Sequence, residues 1–211
     1  MLEIKTFELP PIGTNAYLVL DTETKLCFLF DAPMNVRYPI DNFIVKEGYT
    51  LSGLAYTHGH WDHMLDGFKF DTDKYPVFAH HADEMFFNNP ATMAAFAMPG
   101  MEMNPAPVNH WLSGGEVLDV LGRQVEVRHV PGHSPGSVLF WFVDEAVAIT
   151  GDVVFKQSIG RTDFPGCSFE QLEKSIKTHV FTLPDNTKLL PGHGPETNVS
   201  FEKTNNPFVS P

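Results

Sequence analysis

Residues 57–63 read THGHWDH, which places three of the chain's 10 histidines and one aspartate within seven residues. The preceding AYT reads as the end of a strand, so His58 and His60 leave it in extended chain. In extended chain, residues i and i+2 point the same way. Both imidazoles can then reach one divalent ion at the usual nitrogen–metal distance of ~2.1 Å. Asp62 and His63 follow as the chain turns toward a helix, so they face elsewhere, toward a second ion.

Four ligands do not complete two sites. Three residues downstream stand in the same kind of setting: His133 in VPGHSPGS, Asp152 in AITGD and His193 in LLPGHG. In each, an apolar strand delivers the chain to a glycine-flanked turn, and converging strand ends are where α/β scaffolds build active sites. The expected division is His58, His60 and His133 on one metal and Asp62, His63 and His193 on the other. Asp152 would bridge them with its two oxygens. Such sites keep positions open for water, which marks catalysis rather than structural binding. The expected cofactor is two divalent ions, zinc first, with iron and manganese compatible with the same ligands.

The elements that must hold these residues alternate along the chain. LEIKTFEL, NAYLVL, KLCFLF, SGLAYT and PVFAH read as strands. Residues 35–47 carry Val36, Ile40, Phe43 and Ile44 at helical spacing. ADEMFFNN reads as a helix that stops before Pro90. In the second half, GGEVLDVLGRQVEVRHV reads as two strands joined at Leu121-Gly122, and SVLFWFVDEAVAIT as a hairpin turning near Asp144-Glu145. Residues 168–179 read as a helix capped by Ser168, and TKLLP as a last strand. Two broadly similar halves predict a layered α/β fold in a single domain, residues 1–211. The stretch PATMAAFAMPGMEMNPAPV, with Met93, Met98, Met101 and Met103, is too broken by proline for one helix. It reads either as an irregular connector or as an adaptable apolar lip over a pocket.

Composition narrows the function. The formal net charge is −12, from 14 basic and 26 acidic residues, and the four arginines are scattered. Nucleic-acid binders show a basic stripe, so no nucleic-acid partner is expected. The opening MLEIKTFELPPIG lacks the basic start and apolar run of a signal peptide, and no segment approaches a membrane span. A cytoplasmic protein with no membrane partner is expected. Cys27 lies in an apolar run and Cys167 in a loop, without metal-binding spacing, and nothing favours a disulfide between them.

THGHWDH, Gly132-His133, Gly151-Asp152 and Gly192-His193, in this order and at these wide spacings, resemble the metallo-β-lactamase superfamily. The likeness covers essentially the whole chain, including NAYLV. It implies a four-layer αββα sandwich of two pseudo-repeated halves. Aspartate at 152, IGRTDFPG and the late GHGPET are most similar to the short glyoxalase II-like (hydroxyacylglutathione hydrolase-like) branch. That branch implies a thioesterase acting on a small-molecule thioester such as S-lactoylglutathione. Paired metals bring the pKa of a shared water toward neutrality, and the resulting hydroxide attacks the acyl carbonyl. A thiol with a pKa near ~8.5 leaves with little acid assistance. Asp62 is then a ligand and a candidate proton acceptor. By the same resemblance Arg161 falls where glyoxalase II has a glutathione-contacting lysine; it either binds a substrate carboxylate or pairs with Asp163. Only SFEKTNNPFVSP follows GHGPETNV, where full-length glyoxalase II carries a C-terminal helical domain, so a complete glutathione site is not expected. Alternatives are a mononuclear iron persulfide dioxygenase, a lactonase or β-lactam hydrolase, and a non-catalytic metal-binding protein.

Overall fold

The computed structural model describes residues 1–211. The chain forms two compact units, Met1–Leu112 and Ser113–Pro211. No helix is long and apolar enough to cross a membrane.

The first unit is built on one six-stranded sheet. Strands β1 (Leu2–Leu9), β2 (Thr14–Asp21) and β3 (Leu26–Phe30) form an antiparallel meander. Helix α1 (Arg37–Glu47) then carries the chain to β4 (Thr50–Ala55), which pairs parallel to β3. The short helix α2 (Trp61–Met64) leads on to β5 (Val77–His80), helix α3 (Glu84–Asn88) and β6 (His110–Leu112), which extend the sheet in parallel. Helix α1 turns Ile40, Phe43 and Ile44 onto the sheet, as their spacing requires. It stops at Gly48, whose φ of 70° is the left-handed conformation glycine adopts without strain. Strand β3 is buried along four of its five residues, a continuous apolar run suited to a strand covered on both faces.

The second unit carries another six-stranded sheet. Strands β7 (Val117–Val120), β8 (Arg123–His129), β9 (Val138–Phe142) and β10 (Val147–Gly151) run antiparallel in sequence. A small hairpin follows, β11 (Val154–Phe155) with β12 (Ser158–Ile159). Helix α4 (Phe169–Ser175) crosses to β13 (Lys188–Pro191), parallel to β10. The chain closes with β14 (Thr197–Asn198) and helix α5 (Val199–Asn205). Ser168 caps α4 by accepting from the Gln171 N–H at 3.3 Å, as its position predicted. Leu172 and Ile176 join the apolar core of this unit.

Three elements go beyond the sequence reading. Helix α5 occupies most of SFEKTNN and is capped by Asn198, whose side chain accepts from the Phe201 N–H at 2.8 Å. The α4 helix ends at Ser175 and widens into a π turn over Ile176–Val180. Residues 90–96 form successive 3-10 turns. That stretch buries Met93 but leaves Phe96 exposed, and Met98 beyond it is exposed as well.

Neither cysteine is joined in a disulfide. Cys27 is fully buried in β3, and burial pushes its thiol up to about 12. In native protein at pH 8, iodoacetamide followed by mass spectrometry should leave Cys27 unmodified until denaturant is added. Rapid native labelling would contradict the packing of β3.

Candidate metal centre

In the first unit, all four residues of the motif lie at the end of β4. His58 and His60 follow the strand, and His60, in extended backbone, directly precedes α2. Their ring centroids are 4.6 Å apart, and those of His58 and His63 4.2 Å. His63 Nε2 lies 3.3 Å from Asp62 Oδ2. Two ligands held at ~2.1 Å in a tetrahedron are about 3.4 Å apart, so this pair has the spacing of one edge of a metal site. All four side chains are buried.

The orientation of these rings comes from a residue the sequence reading passed over. Asp31, directly after β3, accepts from the Thr57 N–H at 2.7 Å, from the Thr57 hydroxyl at 2.8 Å and from His63 Nδ1–H at 2.8 Å. The Thr57 hydroxyl in turn accepts from His58 Nδ1–H at 3.1 Å. With Nδ1–H committed on both rings, His58 and His63 carry their lone pair on Nε2. The Thr14 hydroxyl donates to Asp62 Oδ2 at 3.2 Å, and Asp83 accepts from the Gly59 N–H at 2.8 Å. A Cβ on Gly59 would meet Asp83 and Phe86 at 3.0 Å, so a side chain there would have to push these neighbours back by a few tenths of an ångström.

In the second unit the other three residues also stand beyond strand ends. Asp152 follows β10 and His193 follows β13. The Gly192 N–H donates to the Gly151 carbonyl at 2.9 Å, which aligns the two turns. Nε2 of His133 and Nε2 of His193 each lie 3.5 Å from the same oxygen, Oδ2 of Asp152. One carboxylate oxygen thus faces two imidazole nitrogens, each at the ligand–ligand spacing derived above. His133 Nδ1–H donates to the Arg161 carbonyl at 2.8 Å, leaving Nε2 toward Asp152. The hairpin of β11 and β12 brings Gly160 against this pair. A Cβ there would sit 1.9 Å from the Asp152 carbonyl oxygen and 2.9 Å from His133 Nδ1. Gly132, at φ 137°, is pressed against the Leu172 backbone of α4 in the same way.

The donor set of buried imidazoles and carboxylates suits a divalent cation. Without a cation, buried carboxylates of this kind are costly.

Arg161 contributes its backbone rather than a free guanidinium. Its fork makes two bonds of 2.6 Å to Asp163, both residues being largely exposed. The guanidinium holds the Asp163 carboxyl down at about 2, and it also stacks over Phe164 at 4.3 Å. Of the remaining histidines, His81 donates to the Leu112 carbonyl, His129 to the Pro135 carbonyl, and His110 stacks on Phe78. These are ordinary packing roles.

The profile of the metallo-beta-lactamase superfamily matches residues 9–193, a span that includes every residue above. The chain belongs to this superfamily. It is 35% identical over 202 residues to the probable metallo-hydrolase YqgX of Bacillus subtilis, covering 95% of this chain and 94% of that protein. It is 34% identical over 165 residues to the hydroxyacylglutathione hydrolase GloC of Haemophilus influenzae, 76% of each chain. Among solved structures, the BLEG-1 B3 metallo-beta-lactamase superposes with a TM-score of 0.91 at 33% identity, covering 99% of this chain and 100% of its own. TTHA1623 in a di-iron-bound form gives 0.84 at 30% identity, with 97% and 100% coverage. The mixed α/β architecture with two sheets is therefore the metallo-β-lactamase fold.

Asp31→Asn tests the positioning of His63 and His58. It should weaken metal binding about 10- to 100-fold, the usual cost of losing a ligand's outer partner. Competition against a chelator measures this, and unchanged affinity would refute the role of Asp31.

Proposed function

We propose that this protein is a binuclear metal-dependent hydrolase that cleaves a small thioester such as S-lactoylglutathione. The observation that carries the binuclear reading is the single Asp152 oxygen set 3.5 Å from both His133 and His193. The proposed ligand groups are His58, His60 and His133 for one ion and Asp62, His63 and His193 for the other, with Asp152 shared. Zinc is the proposed metal. The structurally similar TTHA1623 holds two irons, and these ligands accept iron or manganese as well.

When bound, the ions supply Lewis acidity, which makes hydroxide available near neutral pH and polarises an acyl carbonyl. The residues of the chain do the rest. Asp31 and the Arg161 carbonyl fix three imidazoles with Nε2 outward. Asp62, steadied by the Thr14 hydroxyl, would take up the proton of the attacking water on a carboxylate oxygen. A thiolate departs unaided because its conjugate thiol has a pKa near ~8.5. The thioester reading draws on the likeness to GloC. A substrate carboxylate reaches Arg161 only by displacing Asp163, an exposed exchange of one carboxylate for another. The net charge of −12 favours a small substrate over nucleic acid, in keeping with a cytosolic enzyme.

The likeness to BLEG-1 supports a second reading, β-lactam hydrolysis, which uses the same water activation on an amide carbonyl. A panel of thioesters and β-lactams separates the two. Purified protein should contain close to two metals, hydrolyse S-lactoylglutathione, and lose activity on chelation. Full loading with β-lactam turnover and no thioester turnover would overturn the thioesterase reading. Asp152→Ala should cost at least one metal per chain by elemental analysis; undiminished loading would refute the shared carboxylate.

A further inference from the structure

The methionine-rich segment has no part in the chemistry above, yet it walls a cavity of about 440 Å³ inside the first unit. Met34, Leu65, Phe68, Met98 and Met101 line it, together with Pro11. A volume of this size falls in the range of small-ligand sites, roughly 300–1,000 Å³. Met98 and Phe68 are each about half exposed, at 48% and 46%, so the apolar lining is open to a ligand rather than sealed in the core.

Three walls of the cavity lead by short chains to the ligand cluster. Pro11 lies in the turn that enters β2, and Thr14 at the start of that strand holds Asp62. Met34 stands three residues after Asp31, which holds His63. Leu65 is two residues past His63. The Ala32 N–H donates to the His63 carbonyl at 2.7 Å and the Asp66 N–H to the Ala32 carbonyl at 3.0 Å, which lock these last two walls together. Leu65 and Asp66 thus carry the segment that bears His63 directly into the cavity wall.

Its charges indicate what it takes. Lys69, the cation in the lining, pairs with Asp66 at 2.8 Å, and the other Asp66 oxygen accepts from the Arg37 N–H at 3.2 Å. Glu102 accepts from the Asn104 amide at 3.1 Å. No surplus positive charge faces the cavity, so it is unsuited to the carboxylates of glutathione or to a phosphate. Thioether side chains have several soft rotors and adapt to flexible apolar chains.

We propose that this cavity is the acyl pocket, and that the preferred substrates are thioesters of uncharged, unbranched acyl chains of medium length. The proposal rests on the thioesterase reading and narrows it. In the reaction, water oxygen bonds to the acyl carbon and the carbon–sulfur bond breaks with its electron pair on sulfur. The products are the carboxylate, the thiol and one proton.

The test uses metal-loaded protein and a series of N-acetylcysteamine thioesters from acetyl to octanoyl. Each added methylene should raise kcat/KM about fourfold until the cavity is full. Met101→Trp, which fills the cavity, and Met98→Glu, which charges a half-exposed wall, should flatten the series. Met85→Ala, exposed and outside the cavity, should keep the slope. Calorimetry with the non-hydrolysable S-octyl thioether of N-acetylcysteamine reads the pocket without chemistry, and Met101→Trp should abolish its binding. Turnover of the whole series at one rate, or no thioether binding, overturns the pocket and leaves the thioesterase reading standing. Thioether binding blocked by Met101→Trp, with no thioester turned over, upholds the pocket and overturns the thioesterase reading.

Discussion

The Asp31 carboxylate commits both oxygens inside the first unit, to the Thr57 backbone, the Thr57 hydroxyl and His63. A carboxylate this deeply buried is tolerable only when its lone pairs are filled, and filling them fixes two imidazole tautomers at once. Everything the motif can do with a metal depends on that fixation. The second unit reaches the same end by other means. A backbone carbonyl orients His133, and a backbone bond between Gly192 and Gly151 sets His193 beside Asp152.

The two units share a plan. In each, an antiparallel meander ends in a strand that delivers an aspartate, β3 to Asp31 and β10 to Asp152. A helix then crosses to a parallel neighbour, β4 or β13, whose end delivers histidines. The corresponding positions differ in use. Asp152 faces two imidazole Nε2 atoms, as a ligand would, while Asp31 stands behind the ligands and holds them. Glycines at 132 and 160 serve the same geometry by leaving room where backbone or ring comes closer than a side chain allows.

Much of this was legible in the sequence because it rests on local signals. Alternating and continuous apolar runs marked the strands, Ser168 marked a helix start, and the glycine-bracketed histidines and Asp152 announced themselves by type and setting. Asp31 was not singled out because a lone aspartate after LCFLF has the composition of an ordinary strand end; the parallel with AITGD was the signal available. Helix α5 was missed because its stability comes from long-range contacts. Buried Glu202 accepts from the Gln157 N–H at 3.0 Å and from the Thr197 hydroxyl, partners no local pattern reveals. The pairing of Arg161 with Asp163 was open in the sequence as one of two readings, and the structure shows it as a two-pronged contact.

The central proposal is that His58, His60, Asp62, His63, His133, Asp152 and His193 hold two metals. Crystals of metal-loaded protein measured at the metal's absorption edge test it directly. Two anomalous peaks are expected, one bonded to His58, His60 and His133 and one to Asp62, His63 and His193, with Asp152 bonded to both. A single peak, or a second peak away from Asp152, would contradict it.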